Sequence, residues 1–171
     1  EALIDTPDWN YVLVDSTIVL LTNIAPERLK GAETEAIGRS KGGLSTKIHI
    51  AADATGRPVR ILLTGGERND VTQIEALLHG LKANFVLADK AYDAGRAADA
   101  IIASNAVAVI PNRITAITKR PFDAAIYKRR NCIERFFGRI KHFRRIATRY
   151  DKLARNYKSL VALVSAIIWA K

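Results

Sequence analysis

Acidic side chains are scarce in this chain: 17 Asp and Glu stand against 27 Lys and Arg among 171 residues, a formal net charge of +10. Much of the excess lies between Lys119 and Lys158. Such asymmetry points to a polyanionic partner, most often nucleic acid, although a merely solvated basic surface would look similar. Cysteine is nearly absent. Cys132 is the only one, so no intrachain disulfide can form, and a reducing compartment is the default. Methionine is missing altogether, and no charged-then-apolar leader opens the chain, which therefore reads as the downstream part of something longer. The longest apolar run, Leu160 to Ala170, is broken by Ser165 and is shorter than the ~20 residues a membrane span needs. Histidine is sparse too: His49, His79 and His142 lack zinc-ligand spacing. Gly42-Gly43 and Gly65-Gly66 fit neither a phosphate loop nor a dinucleotide fingerprint. Zinc chemistry and nucleotide binding by those motifs are set aside.

What is present is an ordinary globular balance, 49% hydrophobic and 26% charged, in a length that suits one domain with a core of its own. Tyr11 to Val14 is a short, continuous apolar run with β-branched residues, as in a strand buried on both faces. It leads through Asp15-Ser16-Thr17 into Ile18 to Leu21. That middle reads either as a turn between two strands or as an acid inside a strand, which is costly unless paired or bound to metal. Residues 22–42 read as a mobile loop. Leu44 to Asp53 and Val59 to Leu63 read as a hairpin around Asp53-Ala54-Thr55-Gly56. Asn69 or Asp70 can cap a helix to Leu81 with Val71, Ile74, Leu77 and Leu78 inward. Phe85 to Ala88 is a second buried run ending in an acid, Asp89. A helix over Ala94 to Ser104, a strand over Val107 to Ile110 and an irregular basic segment over 112–122 come next. A last helix, from about Asp151 to Trp169, directs Leu160, Leu163, Val164, Ile167 and Ile168 to the core, where Trp9 and Trp169 also pack.

The stretch IYKRRNCIERFFGRIKHFRR, Ile126 to Arg145, predicts one long helix capped near Asp123. Ile126, Ile133, Phe136, Phe137, Ile140 and Phe143 form its apolar face. Tyr127, Arg130, Glu134 and Lys141 fall within roughly 60° of one another beside it. A solvated basic face explains this as well as a cation site at Glu134. The strands that come after helices pair in parallel through right-handed crossovers. The simplest sheet puts the opening strand in the middle, the hairpin on one side, and the Phe85 and Val107 strands on the other. Asp15 and Asp89 then sit at the carboxyl ends of adjacent strands, where open α/β sheets keep their sites. With Glu134 they make a three-carboxylate cluster that repels itself unless cations intervene. Two Mg²⁺ ions would remove the conflict and suit phosphodiester chemistry.

VLVDSTIV, GRSKGGLSTKIH, LLTGGERND, VLADKAYD and RNCIERFFGRIKHFRRIATRYDKLARNY closely resemble bacterial insertion-sequence transposases of the DDE class, in the insertion-sequence 5 grouping. The resemblance runs from Asp8 almost to the end. Its most specific piece is Y-x-x-R-x-x-x-E-x-x-x-x-x-x-K, filled by Tyr127, Arg130, Glu134 and Lys141. The resemblance implies an α/β, RNase H-like fold: a mixed five-stranded sheet flanked by helices, forming a single catalytic domain over 1–171. It implies a Mg²⁺-dependent enzyme with Asp15, Asp89 and Glu134 as both catalytic and metal-binding residues. Two Mg²⁺ ions are expected, with Mn²⁺ tolerated. It further implies hydrolysis at transposon ends, then transfer of the freed 3′-hydroxyl into target DNA. Tyr127, Arg130 and Lys141 become DNA contacts, with Arg144 and Arg145 beside them. The partners are double-stranded DNA and a second copy of the chain, with no membrane; the setting is the bacterial cytoplasm and nucleoid. Two departures stand out. Leu20-Leu21-Thr22-Asn23-Ile24 replaces the basic, His- and Gln-containing stretch usual after the first aspartate. The family's N-terminal DNA-binding region is also missing, so a separately encoded part is expected, or else a truncated DNA-binding regulator or relic without cleavage activity.

Overall fold

The computed structural model describes residues 7–22, 34–93, 95–114 and 119–170. Strand β1, Tyr11–Leu21, is continuous through Asp15, which settles the choice between turn and strand. Its β-branched and aromatic residues favour extended backbone, and Val12, Leu13 and Val14 are fully buried. After it come β2 (Gly38–Ser40), β3 (Gly43–Ala52) and β4 (Pro58–Gly65), then α1 (Ile74–Leu78), β5 (Phe85–Leu87), α2 (Gly95–Ala103) and β6 (Val107–Val109). The chain closes with α3 (Ala124–Tyr127), α4 (Asn131–Lys141), α5 (Arg144–Ala147), β7 (Thr148–Arg149) and α6 (Ala154–Trp169).

The strands form one mixed sheet in the order β2-β3-β1-β5-β6, with β4 also on β3 and β7 also on β1. β5 lies parallel to β1 and β6 parallel to β5, so the central strand, the flanking hairpin and the two crossover strands are arranged as expected. Two short strands, β2 and β7, join the expected five, so the sheet has seven strands among the described residues. β2 falls inside the expected 22–42 loop and pairs antiparallel with β3 across a turn at Lys41-Gly42, with Gly43 entering β3 at φ +111°. Residues 23–33 of that stretch lie outside the described residues. β7 pairs Leu20 with Thr148 and Leu21 with Arg149. The unusual Leu20-Leu21 thus belongs to β1, whereas Asn23 and Ile24 lie outside the described residues. β2 (GRS) and β7 (TR) are too short to alternate and, unlike β5 and β6, contain no apolar run, which is why neither was foreseen.

The chain divides into two compact units, and β1, β3, β4 and α4 contribute residues to both. The first comprises Glu1–Asp15, Ile50–Arg60 and Asn69–Glu134. In its hairpin turn, Asp53 Oδ1 accepts from Thr55 N at 2.9 Å, Thr55 Oγ1 at 2.6 Å and Arg57 N at 3.0 Å. Gly56 closes that turn at φ +90°, a conformation that favours glycine. Asn69 caps the next helical segment by accepting from Val71 N at 3.2 Å. Val71, Ile74, Leu77 and Leu78 are buried as expected, although α1 stops at Leu78 rather than Leu81.

The second unit comprises Ser16–His49, Ile61–Arg68 and Arg135–Lys171. Arg149 is fully buried at its centre. Its guanidinium donates to Glu35 O at 2.9 Å, Ala36 O at 3.3 Å, Asp151 O at 2.7 Å, Lys152 O at 2.6 Å and Thr46 Oγ1 at 2.5 Å. It also lies 5.2 Å from the Tyr157 ring centroid. Tyr157 donates its hydroxyl to Ile146 O at 2.7 Å, and burial holds that phenol above its usual range. These contacts set the rotation of α6, which buries Tyr157, Val161, Val164 and Ser165. Leu163 and Ile167, expected inward, are exposed instead. His49 is buried, with Nε2 2.8 Å from Thr64 Oγ1.

The single long helix is corrected as well. Asp123 does cap its start, accepting from Ala125 N at 2.8 Å and Ile126 N at 3.0 Å. After α3, however, the backbone tightens into a 3₁₀ turn over Lys128–Arg130 before α4 resumes. α4 ends at Lys141, and Phe143 is an exposed residue in extended backbone at the start of α5.

Candidate functional site

Asp15 and Asp89 reach the site by strand register. β1 and β5 pair Tyr11 with Phe85, Val12 with Val86 and Leu13 with Leu87. The same offset carried two residues further sets Asp15 level with Asp89. Asp89 stands just beyond β5, where the chain turns into a 3₁₀ segment, Lys90–Tyr92, which its own side chain caps. Its Oδ1 accepts from Ala91 N at 2.7 Å. Capping of this kind fixes the carboxylate relative to the adjoining backbone.

Glu134 comes from the first turn of α4. Between it and Asp15 lies Arg130, the last residue of the 3₁₀ turn, only 6% exposed. Arg130 Nη2 is 2.8 Å from Asp15 Oδ2, and Nη1 is 2.8 Å from Glu134 Oε1. Arg130 Nε is buried without a hydrogen-bond partner. Burial pulls this guanidinium's pKa down, but the charges of Asp15, Tyr127, Asp89 and Glu134 outweigh burial and hold it above its ordinary value. The three acids and Tyr127 therefore act on one cation. The Tyr127 ring centroid lies 5.9 Å from that guanidinium and 5.2 Å, edge-on, from the Phe122 ring.

Asp15, Asp89, Tyr127, Arg130 and Glu134 all belong to the first unit. Arg130, a candidate DNA contact, is the buried partner of two acids. Of the other basic residues singled out, Lys141 ends α4 and Arg144 begins α5, both exposed. Arg145 is exposed and meets Asp151 at 3.4 Å. These three belong to the second unit.

Among the described residues, no group of three or more His, Cys, Asp or Glu side chains is placed to hold a metal ion. Asp15 and Glu134 meet through a guanidinium. The donor chemistry is nevertheless of the right kind: carboxylate oxygens are what Mg²⁺ takes, and three acids around one positive charge retain a negative excess. The reading from sequence gave no role to Asp93, Arg113 or Arg120. Asp93 is almost wholly buried at its side chain and ion-paired with Arg120. The only signal was its place within ADKAYD.

A mixed α/β sheet in this order, flanked by helices and with acids level on adjacent parallel strands, defines an RNase H-like domain. Residues 10–169 match the family model described as the transposase DDE domain, and the chain belongs to that family. A Brucella ovis protein named as an inferred transposase for insertion sequence element IS6501 is 41% identical over 131 residues, covering 75% of this chain and 100% of that relative. A Burkholderia cepacia protein named in the same way for IS402 is 30% identical over 135 residues. That match covers 72% of this chain and 62% of the relative's length.

Proposed function

We propose that this chain carries the catalytic domain of an insertion-sequence transposase that cuts DNA at transposon ends and joins the freed ends to target DNA. Asp15, Asp89 and Glu134 would hold two Mg²⁺ ions, with Mn²⁺ accepted in their place. Bound there, divalent ions supply Lewis acidity toward a phosphodiester and a water of lowered pKa. The side chains of the chain itself do the rest. Asp89, fixed by its own cap, and Asp15, fixed within a buried strand, present rigid carboxylates. Arg130 neutralises the acids before DNA arrives, and its planar fork is suited to a phosphate once it leaves them. Tyr127 flanks that fork. Lys141, Arg144 and Arg145 contact backbone phosphates.

In the first reaction, water attacks phosphorus at the transposon end, the P–O3′ bond breaks, and a 3′-hydroxyl is released. In the second, that hydroxyl attacks a target phosphodiester and displaces its 3′-oxygen. Two copies of the chain on paired ends would allow both ends to be joined to one target.

The observation that carries this reading is the meeting of Asp15 and Glu134, each 2.8 Å from Arg130, in a guanidinium field that Asp89 shares. Transposon-end duplex mixed with the protein and Mg²⁺ is expected to give 3′-hydroxyl nicks, then strand-transfer products. Asp89→Asn should lower both by at least about 10³-fold while leaving DNA binding intact. Nicking that survives Asp89→Asn would rule the site out. Salt-sensitive binding without metal-dependent cleavage would identify a regulator that does not cut.

A further inference from the structure

The loop after β6 is tied to the turn that carries Asp89. β5 and β6 are parallel neighbours, with Leu87 level with Val109, so the segments leaving them emerge side by side. Arg113, four residues past β6, donates Nε to Lys90 O at 3.1 Å and Nη2 to Ala91 O at 3.0 Å. Those carbonyls belong to the 3₁₀ segment that Asp89 caps. Asp93, at the other end of that segment, accepts from Arg113 N through Oδ2 and from Arg120 Nη2 through Oδ1. Asn112 also bonds Arg120, donating Nδ2 to Arg120 O and accepting from Arg120 N, each at 2.9 Å. Asp93's side chain is 5% exposed, and the adjoining Tyr92 is buried.

The geometry points to Asp93 as a positioning residue for Asp89. It holds both Arg113 and Arg120, and Arg113 in turn holds the two carbonyls of the turn that orients the Asp89 carboxylate. Two arginines of a basic segment are thereby directed at protein rather than at DNA. The inference rests on the proposed role of Asp89 as a metal ligand. Groups that orient a ligand in this way typically change metal affinity by about 10–100-fold when removed. Their loss need not disturb the DNA contacts.

The test is Mn²⁺ binding by calorimetry on the whole chain, compared with the Mg²⁺ dependence of end nicking. Asp93→Ala and Arg120→Ala should each raise the Mn²⁺ dissociation constant about tenfold. They should shift the Mg²⁺ midpoint for nicking upward by a similar factor, with most of the rate recovered at saturating Mg²⁺. Arg120→Lys should restore part of the loss, and metal-free affinity for end DNA should stay within about twofold. Arg120→Ala keeps the question open to test if Asp93→Ala does not fold. Arg96→Ala, which breaks an exposed pair with Glu75 in the same unit, serves as the neutral control. Wild-type binding with unchanged Mn²⁺ affinity in folded Arg120→Ala overturns the clamp alone, as does a lower rate plateau with an unmoved Mg²⁺ midpoint. Absence of Mn²⁺ binding in the wild type overturns the metal reading of Asp89 and the clamp's purpose with it.

Discussion

Arg130 shows how one side chain can serve two masters. Buried and joined to Asp15 and Glu134, it offsets the mutual repulsion of the acids, and the same contacts oppose any cation that would bind them. Its removal should therefore act in opposite directions on the two states. Arg130→Met is expected to cost the metal-free protein about 2 kcal/mol in urea unfolding. That is less than a fully buried pair would lose, because the Glu134 side chain is half exposed and solvent screens it. Mn²⁺ should bind the variant about tenfold more tightly, since the competing charge is gone. Equal Mn²⁺ affinity in wild type and variant would show that the guanidinium and the ion do not compete. The place of Asp15 and Asp89 on adjacent strands was legible in the sequence because each interrupts or ends a short apolar run. The burial of Arg130 was not, because it depends on backbone geometry that an ideal helical wheel assumes away.

That geometry is a matter of elements. The stretch from Ile126 to Arg145 reads as one amphipathic helix capped near Asp123, but the 3₁₀ turn at Lys128–Arg130 winds more tightly and breaks the phase of the helical wheel. Arg130, placed by periodicity at the edge of the apolar face, moves into the interior, while Ile133, Phe136, Phe137 and Ile140 stay buried as their spacing foretells. The N-terminal side of this break depends on Asp123, whose Oδ1 takes two backbone amides. Asp123→Ala should lower stability by about 1 kcal/mol, seen as a shifted urea midpoint with an unchanged slope. A loss below about 0.3 kcal/mol would mean that packing alone sets this helix start. The short strands β2 and β7 were hidden for another reason: so few residues carry no period of their own, and β7 owes its conformation to β1, a partner distant in sequence.

Across the whole molecule, the excess of ten positive charges was the plainest signal in the sequence and remains its broadest consequence. Binding to duplex DNA should weaken steeply with salt, the logarithm of affinity falling by about 0.9 per phosphate neutralised for each decade of salt. Replacing Arg144 and Arg145 together by alanine should reduce that slope by about 1 to 2. The range allows for the share of Arg145 already taken by Asp151. An unaltered slope would place the phosphate contacts elsewhere. Arg149 carries a different lesson. Its single guanidinium stitches residues 35 and 36, ahead of β2, to residues 151 and 152, ahead of α6. A chain halted after residue 147 would therefore forfeit more than its last helix: carbonyls more than a hundred positions upstream would lose the donor that gathers them, so a break late in this stretch is felt far ahead of it.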